Sequence, residues 1–94
     1  MEDIERIQKK IYPILKRHNV IRAGLFGSLV RNELEPPSDI DLLIELPPEK
    51  SLLDLVALKL ELEDALDRSV DLLEYPMIHP RLRSQILKEE VPVW

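Results

Sequence analysis

Apolar residues recur at Ile4, Ile7, Ile11, Ile14 and Leu15, the three- and four-residue steps that put side chains on one face of a helix, so residues from about 3 to 18 read as an amphipathic helix. Pro13 interrupts that pattern and predicts either two short pieces or a kink, because proline offers no N–H to the preceding turn. The run "VIRAGLF" (20–26) then reads as a strand that ends at Gly27. Residues 28–33 read as a helical turn and "ELEPPS" as a proline-stiffened loop. "DIDLLIEL" (39–46) is nearly continuous in apolar residues, the signature of a strand covered on both faces and therefore central. After the "PPEKS" break, Ser51 and Asp54 have the spacing of a helix N-terminal capping box, with Asp in place of the usual Glu. Leu55, Leu58, Leu62, Ala65 and Leu66 line one face of the helix that follows, and Asp54, Glu61, Asp64 and Arg68 lie elsewhere. "SVDLLEY" (69–75) is a third strand closed by Pro76, and "PRLRSQILKEE" (80–90) a last helix that opens on proline, where no N–H is missed. The order helix, strand, turn, strand, helix, strand, helix predicts an α/β (α+β) fold: a small mixed sheet of three or four strands with helices packed on it.

Composition narrows the possibilities. Ninety-four residues predict a single domain spanning 1–94, and 45% hydrophobic content is enough for a core built of Ile, Leu and Val, since only four residues are aromatic. The absence of cysteine removes disulfides and thiolate metal sites and fits a cytoplasmic protein. "MEDIERIQKK" is acidic and amphipathic, unlike a signal peptide, and no apolar run approaches the roughly 18 residues of a membrane span. A net charge of −5 argues against direct binding of nucleic acid through a basic face. A small cationic ligand, a metal ion or a basic partner protein suits this chain better.

The candidate chemistry lies between residues 27 and 71. Asp39 and Asp41 are two apart on a predicted strand and so leave the same face of the sheet, with Ile40, Leu42 and Ile44 turned into the core. Two neighbouring carboxylates are costly to keep ionised unless a cation neutralises them, and an oxygen-only donor set favours a hard ion, Mg²⁺ or Mn²⁺. Asp71 holds the corresponding place in the next strand and would join them if the two strands are neighbours. A lone D-x-D at a strand start is often only a solvated loop end. Here it follows Gly27 and Ser28, a strand end where glycine permits a sharp turn and a helix start offers free N–H groups to an anion, with Arg31 one turn later. A phosphate cradle and a metal patch so close together are more specific than either alone.

Gly27-Ser28, ten residues, then Asp39-x-Asp41 resembles the G-S-x10-D-x-D signature of the DNA polymerase β-like nucleotidyltransferase superfamily. "LFGSLVR...SDIDLLIE" is similar to its minimal, stand-alone branch, the MNT domains, many of which are antitoxins encoded beside a HEPN-domain toxin. The resemblance spans residues from about 11 to 90, and departs where Asn32 stands in place of a common glycine. It implies that Asp39, Asp41 and Asp71 bind two Mg²⁺ ions (or Mn²⁺), and that Asp71 helps activate an acceptor hydroxyl. It implies that Gly27 and Ser28 hold the triphosphate of ATP; Arg31 and Ser38 are further candidate nucleotide contacts. The implied activity is transfer of AMP from ATP, with a tyrosine of a HEPN toxin as acceptor. Two alternatives stay open: a non-catalytic antitoxin that neutralises its partner by occlusion, and nucleotidyl transfer to a small-molecule hydroxyl, which the absence of an acceptor-binding domain disfavours.

Several residues carry blander expectations. His18 ends the first helix and His79 lies in a loop, neither with a metal-ligand partner at useful spacing, and Lys9, Lys10, Lys16 and Arg17 read as a solvated face. Leu53, Val56 and Leu60 read as a wide core face or as part of a contact surface, the core face being preferred. Trp94 could anchor a partner, with packing on its own sheet preferred, and Tyr12 and Tyr75 read as packing residues.

Overall fold

The computed structural model describes residues 4–27, 30 and 39–94. Helix α1 (Ile4–Arg17) leads to strand β1 (Arg22–Phe26), followed by β2 (Ile40–Glu45), helix α2 (Leu52–Leu66), β3 (Val70–Glu74), a 3₁₀ turn (Tyr75–Met77), helix α3 (Pro80–Glu89) and a short β4 (Val91–Pro92). The sheet order is β3-β2-β1-β4, with β1 antiparallel to β2 and to β4 and with β2 parallel to β3. The mixed sheet with helices matches the fold read from the pattern, and β2 is central as expected.

Pro13 sits inside one continuous α1 rather than dividing it. Its ring lies on the exposed side, while Ile11, Ile14 and Leu15 on either side are buried. Burying each such side chain is worth roughly 1.5–3 kcal/mol, enough together to offset the lost hydrogen bond. The helix stops at Asn19, whose positive φ of 56° is tolerable for asparagine, and Val20 N–H donates back to the Leu15 carbonyl at 3.1 Å. At α2 both halves of the capping box form: Ser51 Oγ accepts from Asp54 N–H, and Asp54 Oδ2 accepts from Ser51 N–H at 2.8 Å. The Asp54 carboxyl is held below its ordinary value of 3.8, chiefly by the Ser51 N–H bond.

Alternation along the strands sorts the residues into two layers. Ile40, Leu42 and Ile44 of β2, with Ala23 and Leu25 of β1 and Val70 of β3, face α1 and α2 and form the main core with Ile7, Ile11, Leu15, Leu58 and Leu62. Leu43 faces the other way and joins Tyr75 and Ile78, flanked by Phe26, Leu73, Ile86 and Leu87, so α3 covers part of the second face. That double coverage is why β2 reads as a continuous apolar run.

Two expectations need correction. Leu53, Val56 and Leu60 are 80%, 44% and 59% exposed, so they are not a wide core face. The burial needed by α2 is met by Leu58 and Leu62, with Leu55, Ala65 and Leu66 packed at the margin, which leaves the opposite side uncovered. Arg68 lies beyond the end of α2, after Asp67 turns the chain with a φ of 53°. Tyr12 is half exposed, its ring meeting Trp94 edge-on at 4.8 Å. The C-terminal "VPVW" does pack on the chain's own sheet: Val93 is buried, Trp94 Nε1 donates to the Val20 carbonyl, and Val91–Pro92 supply the fourth strand.

Candidate functional site

The second face of the sheet carries acids at one end. In the parallel pairing of β2 with β3, Asp41 is the register partner of Asp71, so the two leave neighbouring strands side by side, roughly 4.8 Å apart at the backbone. Asp39 precedes β2 by one residue and is exposed, like Asp71, while Asp41 is half-buried. Ile40 N–H donates to the Ser69 carbonyl at 3.0 Å, which extends the pairing of the two strands to the point where Asp39 enters.

Gly27 closes the third side. On β1, Phe26 is paired with Asp41, and at Gly27 the backbone turns with a φ of 80°. A Cβ at Gly27 would overlap the Asp41 carboxylate. The glycine is therefore needed twice, for the turn and for the close approach of the acid to the backbone. Ser28, Arg31 and Ser38, the other candidate nucleotide contacts, lie outside the described residues, as do the helical turn at 28–33 apart from Val30, Asn32 and the "ELEPPS" loop.

Among the described residues no three His, Asp or Glu side chains are gathered closely enough to hold a metal ion as they stand. The donor chemistry itself fits a hard divalent ion: oxygen donors on one sheet face, two of them in direct register. On the other side of Ile40 the charge is reversed, for Arg6, Lys10 and Arg68 surround a cavity of about 150 Å³ floored by Ile7, Ile40 and Leu66.

Farther along the same face is a polar cluster that the sequence did not reveal. The Glu90 carboxylate lies over Gly24, in space that any Cβ there would fill, and is only 4% exposed. It accepts from Tyr75 Oη and, at 3.2 Å, from Arg22, whose guanidinium stacks 4.2 Å from the centre of the Tyr75 ring. Burial, then the bond to Glu90, pushes the Tyr75 phenol well above its ordinary range. Arg83 donates to the Tyr75 carbonyl at 3.0 Å, so α3 is tied to the end of β3. Glu90 and Arg22 are 68 positions apart, and no local pattern links them. Both histidines make hydrogen bonds within the fold. His18 pairs with Glu61 at 2.7 Å, and its hydrogen bond holds the Glu61 carboxyl below the usual range, while His79 Nδ1 accepts from Arg81 N–H at the start of α3.

The mixed sheet thus presses a glycine turn on one acid and sets a second acid in register beside it. The chain belongs to the polymerase beta nucleotidyltransferase family, whose model matches residues 9–94. It is 54% identical over 91 residues to a Methanocaldococcus jannaschii protein provisionally named a protein adenylyltransferase, covering 97% of this chain and 98% of that protein. It is 34% identical over 96 residues to the protein adenylyltransferase MntA of Thermococcus cleftensis, covering 99% and 95%. A solved structure described as a provisional minimal nucleotidyltransferase superposes with a TM-score of 0.82 at 36% identity, covering 95% of this chain and 91% of that one. A crystal structure of a toxin–antitoxin complex with AMP-PNP superposes with a TM-score of 0.78 at 25% identity, over 93% and 72%.

Among the described residues no helix is long and apolar enough to cross a membrane.

Proposed function

We propose that this chain is a protein adenylyltransferase antitoxin: residues 1–94 act as one minimal domain in the cytoplasm and move AMP from ATP to a tyrosine hydroxyl of a cognate HEPN-domain toxin. The observation that carries the reading is the register of Asp41 with Asp71 beside the Gly27 turn, in a chain of this family. The relatives named for adenylyl transfer to protein, and the AMP-PNP bound in a related toxin–antitoxin complex, support the choice of nucleotide and of acceptor class.

In the proposed reaction the acceptor oxygen bonds to the α-phosphorus of ATP, the bond from that phosphorus to the bridging oxygen breaks, and pyrophosphate leaves. Asp39, Asp41 and Asp71 would hold one or two Mg²⁺ ions, which when bound neutralise the triphosphate and the charge that builds on the phosphoryl group. Asp71, exposed at the edge strand, faces the side from which a bulky acceptor can approach, and it takes the hydroxyl proton or orients that hydroxyl. The turn at Gly27, with Ser28, grips the phosphates through backbone N–H groups, and Arg31 and Ser38 add contacts.

The test is the intact mass of the cognate toxin after incubation with this protein, ATP and Mg²⁺. Addition of adenylyl units, lost on Asp39→Asn or Asp41→Asn, is the expected result. An inhibited toxin of unchanged mass would replace this reading with neutralisation by occlusion.

A further inference from the structure

Across Ile40 from the acid row, cations from two segments converge. Arg6 and Lys10 stand four apart on α1 and share one side of it, and Arg68 follows the left-handed turn at Asp67 that ends α2. With Ile7, Ile40 and Leu66 they line a cavity of about 150 Å³. The grouping runs against a net charge of −5. Like charges four apart on a helix repel, and among the described residues no carboxylate pairs with Arg6 or Lys10. Acids do stand near these cations in sequence, namely Glu5, Asp39, Glu63, Asp64 and Asp67, yet none of them lines the cavity. The Glu63 carboxylate accepts from Val70 N–H at 2.9 Å, and the other four side chains are exposed.

Size and charge select the ligand. A drug-sized molecule occupies roughly 300–1,000 Å³, so this cavity takes one small anionic group. A carboxylate brings a single charge. A phosphate brings about two charges and three acceptor oxygens, a closer match to three cations of which two are guanidinium forks. The apolar floor keeps water from one side of such an anion and focuses the field of the cations on it.

We infer that this pocket, between α1 and the end of α2, binds a phosphate group whose oxygens are shared among Arg6, Lys10 and Arg68. Free phosphate and pyrophosphate both carry that group. The site is separate from the proposed nucleotide pocket. Ile40 floors it from the helix side of the sheet, whereas Asp41 and Asp71 leave from the other face, with the Gly27 turn against Asp41. The inference stands apart from the adenylyl-transfer reading, because it needs neither a metal ion nor an acceptor.

The test is titration of phosphate, and separately of pyrophosphate, into the ¹⁵N-labelled full chain with EDTA present and ionic strength held constant by chloride. Saturable shifts centred on the amides of residues 6, 7, 10, 40 and 68 are expected, with half-saturation at least about tenfold below that of acetate. Pyrophosphate saturating first assigns the diphosphate as occupant, and phosphate saturating first the free monophosphate. Arg6→Gln and Lys10→Gln should each weaken binding about three- to tenfold, with the circular dichroism spectrum unchanged. Shifts that never saturate, shifts matched by acetate, shifts centred on residues 27 and 71, or undiminished binding by the Arg6→Gln, Lys10→Gln double variant would each overturn the site.

Discussion

The two ends of the second sheet face hold carboxylates in opposite circumstances. At one end Asp41 and Asp71 share a register position with Asp39 beside them, and two of the three are exposed. At the other, Glu90 is buried, accepts from Tyr75 and Arg22, and is sealed against Gly24. A carboxylate surrounded by donors is satisfied within the fold and holds elements together. A row of carboxylates on one face gathers negative charge, which a cation would offset. The difference teaches that donors from distant segments mark the structural acid here, and like-charge register marks the acids proposed for chemistry.

The largest expected effect breaks the acid row. Asp41→Asn should lower adenylyl transfer on the order of 10³-fold or more while leaving the thermal midpoint within a few degrees, as read by mass spectrometry and calorimetry. If instead the midpoint collapsed and transfer persisted, the roles assigned to the two ends would be exchanged.

Next comes the paired end. Tyr75→Phe removes the hydroxyl donor from Glu90 and should cost about 1.5–3 kcal/mol in urea unfolding, with transfer changed only a few-fold. The same group predicts a pH dependence. Its phenol is raised above the ordinary value of 10.0, so the unfolded chain ionises first. The stabilisation is therefore complete below pH 10 and is lost as pH rises through that value toward the higher folded one. Denaturation followed from pH 8 upward should show this loss in the wild type and not in Tyr75→Phe.

A smaller effect concerns the helix that backs β2. Ser51→Ala removes the α2 cap and should cost about 1 kcal/mol. The Asp54 carboxyl loses the Ser51 hydroxyl but keeps the backbone N–H of residue 51, so by NMR it should rise only part of the way toward its ordinary 3.8. Because the folded value is depressed, the contribution of this carboxyl is present above 3.8 and fades as pH falls through the lowered value.

How much of this was legible beforehand depended on the range of the signal. The steps Ile4, Ile7, Ile11 and the apolar run of β2 are local patterns, and they located helix and strand within a residue or two. The pairing of Asp41 with Asp71 was accessible because both stand third in their predicted strands and β2 and β3 are joined by a helix, a connection that favours parallel neighbours. The Arg22–Tyr75–Glu90 cluster joins three distant segments and left no local trace. Val91–Pro92 was too short for alternation to declare a strand. Leu53, Val56 and Leu60 misled because periodicity reports an apolar stripe without saying what covers it.

The central claim is that Asp39, Asp41 and Asp71 form one divalent-cation site beside the Gly27 turn. Titrating Mn²⁺ into the ¹⁵N-labelled protein with a non-hydrolysable ATP analogue tests it directly. The account predicts paramagnetic broadening centred on the amides of residues 39, 41, 71 and 27, lost in Asp41→Asn. Broadening that spares residue 71, or that centres elsewhere, would contradict it.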